Sequence, residues 1–296
     1  MTDYNFLSCE TFRPEGNVKA ALFVVHGMQE HKERYESFAK YMNGRGYGVV
    51  LYDLPGHGQS LLDDTDGWFG EENGWDTLVG SAVEMEMRTR KEFPGVPVIY
   101  FGHSMGTMVG RTFLQKYDRM IDGMILSGLP ASNAAASAGK TLAKAVIKAK
   151  GKKYRSGLLT AMAVGGFAKS VKDAKTPLDW LSYNEDNVDA YMQDPLCGRP
   201  FTAEGYYDLF NGMVRMSDLS AFLVTSPDLP VLLFAGEDDP CIGGEKGWKD
   251  TVDRFNKLGY TDVTSHLFAG MRHETMNEKN GQDVMAYAAD WLDAHF

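Results

Sequence analysis

Short apolar runs alternate along this chain with stretches in which apolar residues recur at helical spacing. Six of these runs predict buried strands, at residues 20–25, 47–52, 96–101, 121–127, 229–235 and 263–268. Helical periodicity predicts helices at residues 34–43, 76–91, 107–116 and 283–294. Strands that alternate with helices in this way are typical of an α/β fold, with a mostly parallel central sheet and helices on both faces.

One long segment lacks this alternation. From residue 129 to residue 226, alanine, lysine and methionine take the place of strand-forming runs. Within it, residues 139–150 predict an amphipathic helix. Its two faces carry Lys140, Lys144 and Lys148 on one side and Leu142, Ala145, Val146 and Ala149 on the other. We therefore predict a core of residues 1–128 and 227–296, with a helical insert at 129–226.

Basic residues concentrate within this insert. The 296-residue chain carries a net charge of −10, yet residues 131–175 hold ten basic side chains and one acid, a net charge of +9. The rest of the chain therefore carries −19, which indicates that the insert has a surface role of its own. A net negative chain disfavours nucleic acid as a partner.

The cysteines and the chain start bear on the compartment. Three cysteines, Cys9, Cys197 and Cys241, are too few and too far apart to predict a disulfide framework. No apolar run reaches the length that crosses a bilayer, and residues 1–7 lack the basic and apolar stretch of a secretory signal. These features predict a protein of the reducing cytoplasm.

One pentapeptide, Gly102-His103-Ser104-Met105-Gly106, lies between a predicted strand and a predicted helix. A serine at such a sharp turn is presented to substrate on a strained backbone. The flanking glycines fit this turn because a Cβ at either position would collide with the neighbouring strand or helix. We interpret Ser104 as a nucleophile; the alternative is an ordinary loop serine between glycines.

A serine nucleophile needs a base, and the base needs an acid that orients it. Candidates for both follow the last two predicted strands, in the chain order serine, carboxylate, histidine. We prefer His273 as the base to His266, which falls within a strand, and to the terminal His295; the alternative is a solvent-exposed loop histidine. The turn after the earlier strand leaves the choice of acid open among Glu237, Asp238 and Asp239.

Two further features concern charge stabilisation and metals. An oxyanion needs two backbone N–H donors. Met105 follows the nucleophile directly, and Met28 lies in the loop after the first predicted strand, so these two residues are the candidate donors. The alternative for the second donor is that His26-Gly27 is only a strand-ending turn.

Metal-dependent hydrolysis is the competing mechanism. His26 and His31 are five residues apart, and His273-Glu274 begins like a His-Glu-x-x-His motif without its second histidine. Neither pattern forms a ligand cluster, so we predict no metal and no other cofactor.

Several motifs together carry a resemblance to a known family. They lie at residues 26–31, 34–35, 53–60, 102–106, 194–197, 236–240 and 270–273. Through them, nearly the whole chain resembles the monoacylglycerol lipase and lysophospholipase branch of the α/β-hydrolase superfamily. The resemblance implies the α/β-hydrolase fold, Asp239 as the acid, and the insert as a lid over an acyl-binding pocket. It also implies that His103, Asn187 and Tyr191 hold the alcohol part of the substrate. The chain departs from the family pattern at two positions. Asn187 stands where the family has an acidic residue, and Thr107 stands where a third glycine usually follows the nucleophile motif.

The function predicted on this basis is a serine esterase that hydrolyses monoacylglycerols or lysophospholipids through an acyl-enzyme on Ser104. The alternatives are an esterase for small soluble esters, an acyltransferase or haloperoxidase-like enzyme on the same site, and a binding protein that kept the fold without activity.

The basic insert has two interpretations. Its lysines form the solvated face of a lid helix, or they contact an anionic membrane surface. In the second case, apolar side chains of the insert would face the acyl chain or the lipid interface. These are Leu158, Leu159, Met162, Val164 and Phe167.

Overall fold

A computed structural model describes residues 3–296; Met1 and Thr2, which begin the N-terminal segment considered above, lie outside this range. Within the range, seven strands form one sheet in the order β1-β3-β2-β4-β5-β6-β7. β1 is antiparallel to β3, and every other pair is parallel. The strands are β1 Cys9–Phe12, β2 Ala21–Val25, β3 Gly48–Tyr52, β4 Val98–His103, β5 Gly123–Ser127, β6 Val231–Gly236 and β7 Val263–Phe268. The predicted mostly parallel sheet is confirmed.

Helices cover both faces of this sheet because its inner strands bury side chains on both sides. Phe23 and Val25 of β2 belong to the core on one face of the sheet, whereas Leu22 and Val24 belong to the core on the other face. The helices are α1 Glu36–Gly44, α2 Gly74–Glu92, α3 Met105–Tyr117, α4 Ala136–Lys150, α5 Gly157–Ser170, α6 Glu185–Gln193, α7 Ala203–Met216, α8 Gly244–Leu258 and α9 Gly281–His295. In the described part of the chain, none of them is long and apolar enough to span a membrane.

Two elements were absent from the sequence prediction. β1 has only four residues, Cys9–Phe12, and they are exposed or half-buried at the sheet edge, so they show no apolar run. α8 begins beside two glycines with positive φ, Gly243 and Gly244, and is strongly polar on one face. The nucleophile strand also extends to His103, beyond its predicted end, so that the pentapeptide begins inside the sheet.

Four helices, α4 to α7, lie between β5 and β6. α7 packs on α2 and α3, and α4 packs along α7. The predicted apolar face of α4 is partly wrong, because Ala145 and Ala149 are exposed while Gly139 and Ala143 are buried. A Cβ added at Gly139 would lie 2.8 Å from the Phe210 ring of α7. The small residues of α4 thus allow a close approach of the two helices.

Candidate active site

Ser104 occupies the turn between β4 and α3. Its φ of 49° and ψ of −114° are unusual for a residue with a side chain. A Cβ added at Gly106 would lie 1.9 Å from the backbone oxygen of Val25 on the neighbouring strand, and one at Gly102 would lie 2.8 Å from the Gly106 oxygen. Both flanking positions therefore require glycine, as predicted. The backbone N–H of Ser104 donates to the Ser127 oxygen at 3.0 Å, which fixes the turn against β5.

His273 and Asp239 form a buried hydrogen-bonded pair. The distance from His273 Nδ1 to Asp239 Oδ2 is 2.8 Å. Asp239 also begins a short 3₁₀ helix, and its Oδ1 accepts the backbone N–H of Cys241 at 2.8 Å. Burial is the largest single influence on the pKa of His273 and lowers it, but the Asp239 carboxylate, together with Glu274 and Glu30, leaves that pKa raised. With Nδ1 donating to Asp239, Nε2 is the ring nitrogen left to accept a proton.

The other two candidate acids point elsewhere. Glu237 and Asp238 are exposed, whereas Asp239 is 2% exposed. The Asp238 carboxylate accepts a hydrogen bond from the Tyr183 hydroxyl at 3.1 Å. Of the three carboxylates, Asp239 is the one whose hydrogen bond to the His273 ring the structure describes.

Ser104 and His273 line one cavity of about 180 Å³. One part of its lining is polar and comes from Gln29, Glu30, His103, Tyr191 and Glu274. The other part is mainly apolar and comes from the insert, from Val164, Gly165, Ala168, Pro177, Leu178, Trp180 and Leu181. The cavity therefore combines hydrogen-bonding groups and hydrocarbon in its lining, together with the serine and the histidine.

The two predicted oxyanion donors, Met28 and Met105, belong to segments next to Ser104. Met28 lines the cavity, in a loop where the Gly27 N–H donates to Glu30 Oε1 at 2.5 Å. A Cβ at Gly27 would lie 3.1 Å from Cβ of Ser104, so this loop runs directly beside the serine. Met105 opens α3, and the first N–H groups of a helix have no partner within it.

The three predicted head-group residues have different positions. His103 and Tyr191 line the cavity, and the Tyr191 hydroxyl donates to the Gln29 oxygen at 2.7 Å. Asn187 does not belong to the cavity lining. Instead it joins Arg34 to Glu274, because its Oδ1 accepts from Arg34 at 3.1 Å and its Nδ2 donates to Glu274 at 2.7 Å.

Burial sets the charge state of His103. Its ring is 5% exposed and its centroid lies 4.8 Å from that of His273. Burial, followed by the repulsion of a charged His273, lowers the pKa of His103 to about 4. His103 is therefore neutral near pH 7, with a contact of 3.4 Å from its Nδ1 to the Ser127 hydroxyl.

A buried ionic network next to the cavity was absent from the sequence prediction. Arg34 binds Glu274 through two hydrogen bonds of 2.6 and 2.9 Å, and a third contact of 3.4 Å reaches Glu30. The Tyr35 hydroxyl donates to Glu30 at 2.8 Å. Burial opposes ionisation of Glu274, but Arg34 outweighs it and lowers the pKa of Glu274 to about 2. The sequence offered one signal for this network, since Glu274 directly follows His273, the predicted base.

Metal-ligating side chains meet at two places in the described residues, His31–Asp194–Cys197 and Asp239–Cys241–His273. Both ring nitrogens of His31 already contact carboxylates, Glu33 at 2.6 Å and Asp194 at 2.7 Å. His26, the other histidine considered for a metal, accepts the Leu54 N–H at 2.9 Å and lies outside both groups. The chemistry available at Ser104 is thus that of a serine, an imidazole and a carboxylate.

Comparison with known proteins finds similar chains at the levels of family, sequence and fold. The Hydrolase_4 family, described as serine aminopeptidase, S33, matches residues 16–280. The chain is 30% identical over 240 residues to a monoglyceride lipase of Mus musculus, covering 80% of this chain and 71% of that protein. It is 24% identical over 291 residues to phospholipase YtpA of Bacillus subtilis, covering 93% and 96%. A thermostable carboxyl esterase from Bacillus coagulans, solved with glycerol, has a TM-score of 0.91 at 23% identity, covering 98% and 94%.

Proposed function

The chain belongs to the Hydrolase_4 family, and from this premise we propose that it hydrolyses monoacylglycerols or lysophospholipids with Ser104 as its nucleophile. His273 takes the Ser104 proton as the oxygen attacks the ester carbonyl, and Asp239 holds the imidazole in the productive tautomer. The N–H groups of Met28 and Met105 stabilise the oxyanion. The alcohol leaves with the proton from His273, and water then releases the fatty acid from Ser104 by the same steps.

The observation that carries the substrate class is the division of the cavity. Glu30, His103 and Glu274 offer oxygen and nitrogen atoms for the hydroxyl groups of an alcohol such as glycerol. The lining residues of the insert, from Val164 to Leu181, offer mainly apolar groups and suit an acyl chain. An ester of a polyol and a fatty acid matches both ends.

We further propose that residues 129–226 act as a lid. The enclosed volume of about 180 Å³ is below the roughly 300–1,000 Å³ of ligand pockets in general. Because α5 supplies Val164, Gly165 and Ala168 to the cavity wall, a movement of this helix would enlarge the acyl region. A long acyl chain therefore requires the insert to move, whereas a short ester does not.

A panel of substrates tests this function. We expect fatty acid release from monoacylglycerol or lysophospholipid to exceed that from short p-nitrophenyl esters in kcat/KM, and a fluorophosphonate probe to label Ser104. An aminoacyl p-nitroanilide serves as the control for peptidase activity, and reactions with an added acceptor alcohol detect acyl transfer. Preference for short esters would assign the site to small soluble substrates. If the probe did not label Ser104, the chain would instead be a binding protein without catalytic activity.

The structure places the lysines of the insert in three kinds of surroundings. Lys152 and Lys153 contact Glu71 at 3.3 Å and Asp63 at 3.2 Å, so core acids neutralise them. Lys140 and Lys144 lie over the Tyr207 ring of α7, at 5.5 and 5.4 Å from its centroid. The third set is exposed and, among the described residues, forms neither a salt bridge nor a ring contact; it consists of Lys148, Lys150, Lys169 and Lys172. Charge counting along the sequence therefore overstates the positive charge available to a partner.

We propose that α5 and the exposed lysines near it contact anionic lipid surfaces. Leu158 and Met162 on α5 are exposed, 61% and 39% respectively, and Lys169 lies in the last turn of the same helix. We expect stronger co-sedimentation with anionic than with neutral vesicles, and a loss of the difference at high salt. Lys169→Gln should weaken binding by roughly fivefold, about 1 kcal/mol. Lys153→Gln is the matched control, and it should weaken vesicle binding less because Lys153 already pairs with Asp63. Equal, salt-independent binding to both vesicles, or none, would contradict the proposal.

A cytoplasmic location stays a prediction and rests on the three thiols of the sequence, two of which, Cys197 and Cys241, are buried beside the site. The expectation that nucleic acid is not a partner likewise rests on the net charge of −10.

A further inference from the structure

Trp180 lies against the proposed catalytic histidine. It belongs to the short 3₁₀ helix Asp179–Leu181 between α5 and α6, and it is 8% exposed. Its ring centroid is 5.0 Å from that of His273 and 4.9 Å from that of Phe167 on α5. The His103 ring in turn packs against the His273 ring, with their centroids 4.8 Å apart. A row of four rings, from Phe167 through Trp180 and His273 to His103, therefore connects α5 to the residue before Ser104.

Two hydrogen bonds to the backbone oxygens of its neighbours hold Trp180 in this position. Arg272, just before His273, donates to the Asp179 oxygen at 2.6 Å. Glu274, just after His273, donates its N–H to the Leu181 oxygen at 2.8 Å. The neighbours of the histidine thus bind the neighbours of the tryptophan, which fixes one ring relative to the other.

The Trp180 ring adds no charge near His273. The groups that face this imidazole and can carry a charge or proton are the Asp239, Glu30 and Glu274 carboxylates, His103 and the Cys241 thiol. Burial is the strongest influence on the pKa of His273, and it lowers that pKa. Removal of the indole would therefore admit water to the imidazole without changing any charged neighbour.

We propose that Trp180 is a positioning residue for His273: it covers the imidazole and keeps water away from the ring that moves the Ser104 proton. This inference rests on the proposed function, because it assigns His273 the role of base.

The pH dependence of kcat/KM for a short p-nitrophenyl ester tests this proposal. The unprotonated imidazole is the active form, and water favours the protonated form, so Trp180→Ala should raise the pKa of His273. We expect the ratio of kcat/KM at pH 6 to that at pH 8 to fall by roughly threefold to tenfold relative to the unmodified protein. Leu178→Ala, which enlarges the same cavity without removing the indole, should leave the ratio unchanged.

Two further variants keep the test decisive. Trp180→Phe retains a ring and should give nearly the original ratio, whereas Phe167→Ala removes the support of the indole and should give an intermediate ratio. If a folded Trp180→Ala variant has the same ratio of kcat/KM at pH 6 and pH 8 as the unmodified protein, the proposal is overturned. If that variant does not fold, an unchanged ratio in Phe167→Ala overturns it. Fluorophosphonate labelling of Ser104 at pH 8 separates this failure from failure of the proposed function, in which the unmodified protein would not be labelled either.

Discussion

Ser104→Ala is expected to lower the turnover of a short p-nitrophenyl ester by at least about a thousandfold. The side-chain oxygen forms the acyl-enzyme, and alanine offers no atom that can replace it. The backbone contacts of the turn remain, because the N–H donates to the Ser127 oxygen and the carbonyl accepts from Thr107. The loss should therefore appear in kcat at an almost unchanged melting temperature.

Ser127→Ala provides the matched control for this substitution. Ser127 is a buried serine at the end of the adjacent strand, and its hydroxyl lies 3.4 Å from His103. Its removal should cost far less activity than that of Ser104. A Ser104→Ala variant with near-normal turnover and the same fold would show that the nucleophile has been assigned wrongly.

Asp239→Asn should lower kcat by roughly ten-thousandfold, because the amide favours the wrong imidazole tautomer. Asparagine caps helices about as well as aspartate, so the turn held by the Cys241 N–H should persist and stability should change little. Loss of the carboxylate leaves burial as the main influence on His273, so the pKa of His273 falls. The acid limb of the residual activity should accordingly move to lower pH.

The neighbouring residue makes this prediction specific. Asp238→Asn alters an exposed carboxylate that accepts a hydrogen bond from Tyr183 at 3.1 Å, and it should change kcat by less than about threefold. Comparable losses in both variants would argue that the loop, and not the Asp239 carboxylate, supports the histidine.

The features that the sequence predicted well are local ones. The choice of Asp239 among three neighbouring carboxylates came from the family resemblance. Ser104, however, lies between two glycines that the turn requires, and the segments that hold the candidate acids and His273 follow strands whose ends meet at one edge of a parallel sheet. Such positions depend on chain order and strand direction, both of which leave a pattern in the residues. The four-residue β1 leaves almost none, since Cys9–Phe12 is half exposed at the edge.

The features that escaped prediction depend on contacts between distant segments. Arg34 and Glu274 are 240 positions apart, and their ion pair follows from how the first and last loops fold together. Lys153 and Asp63 are 90 positions apart, and their pairing cancels charge that a count along the chain assigns to the surface. Asn187, expected at the substrate, instead serves this network, because its amide fits between Arg34 and Glu274.

The paired anchors at Arg272 and Glu274 bear on the construction of chimaeric proteins from this scaffold. A segment transplanted in place of residues 129–226 brings its own carbonyl groups to the loop around His273. Only a donor that presents two carbonyls with the spacing of Asp179 and Leu181 can accept both hydrogen bonds. A graft chosen for the shape of its acyl wall alone would leave the Glu274 N–H buried without a partner, at a cost of about 1–3 kcal/mol. Compatibility with the histidine loop is therefore the first criterion for selecting such a donor.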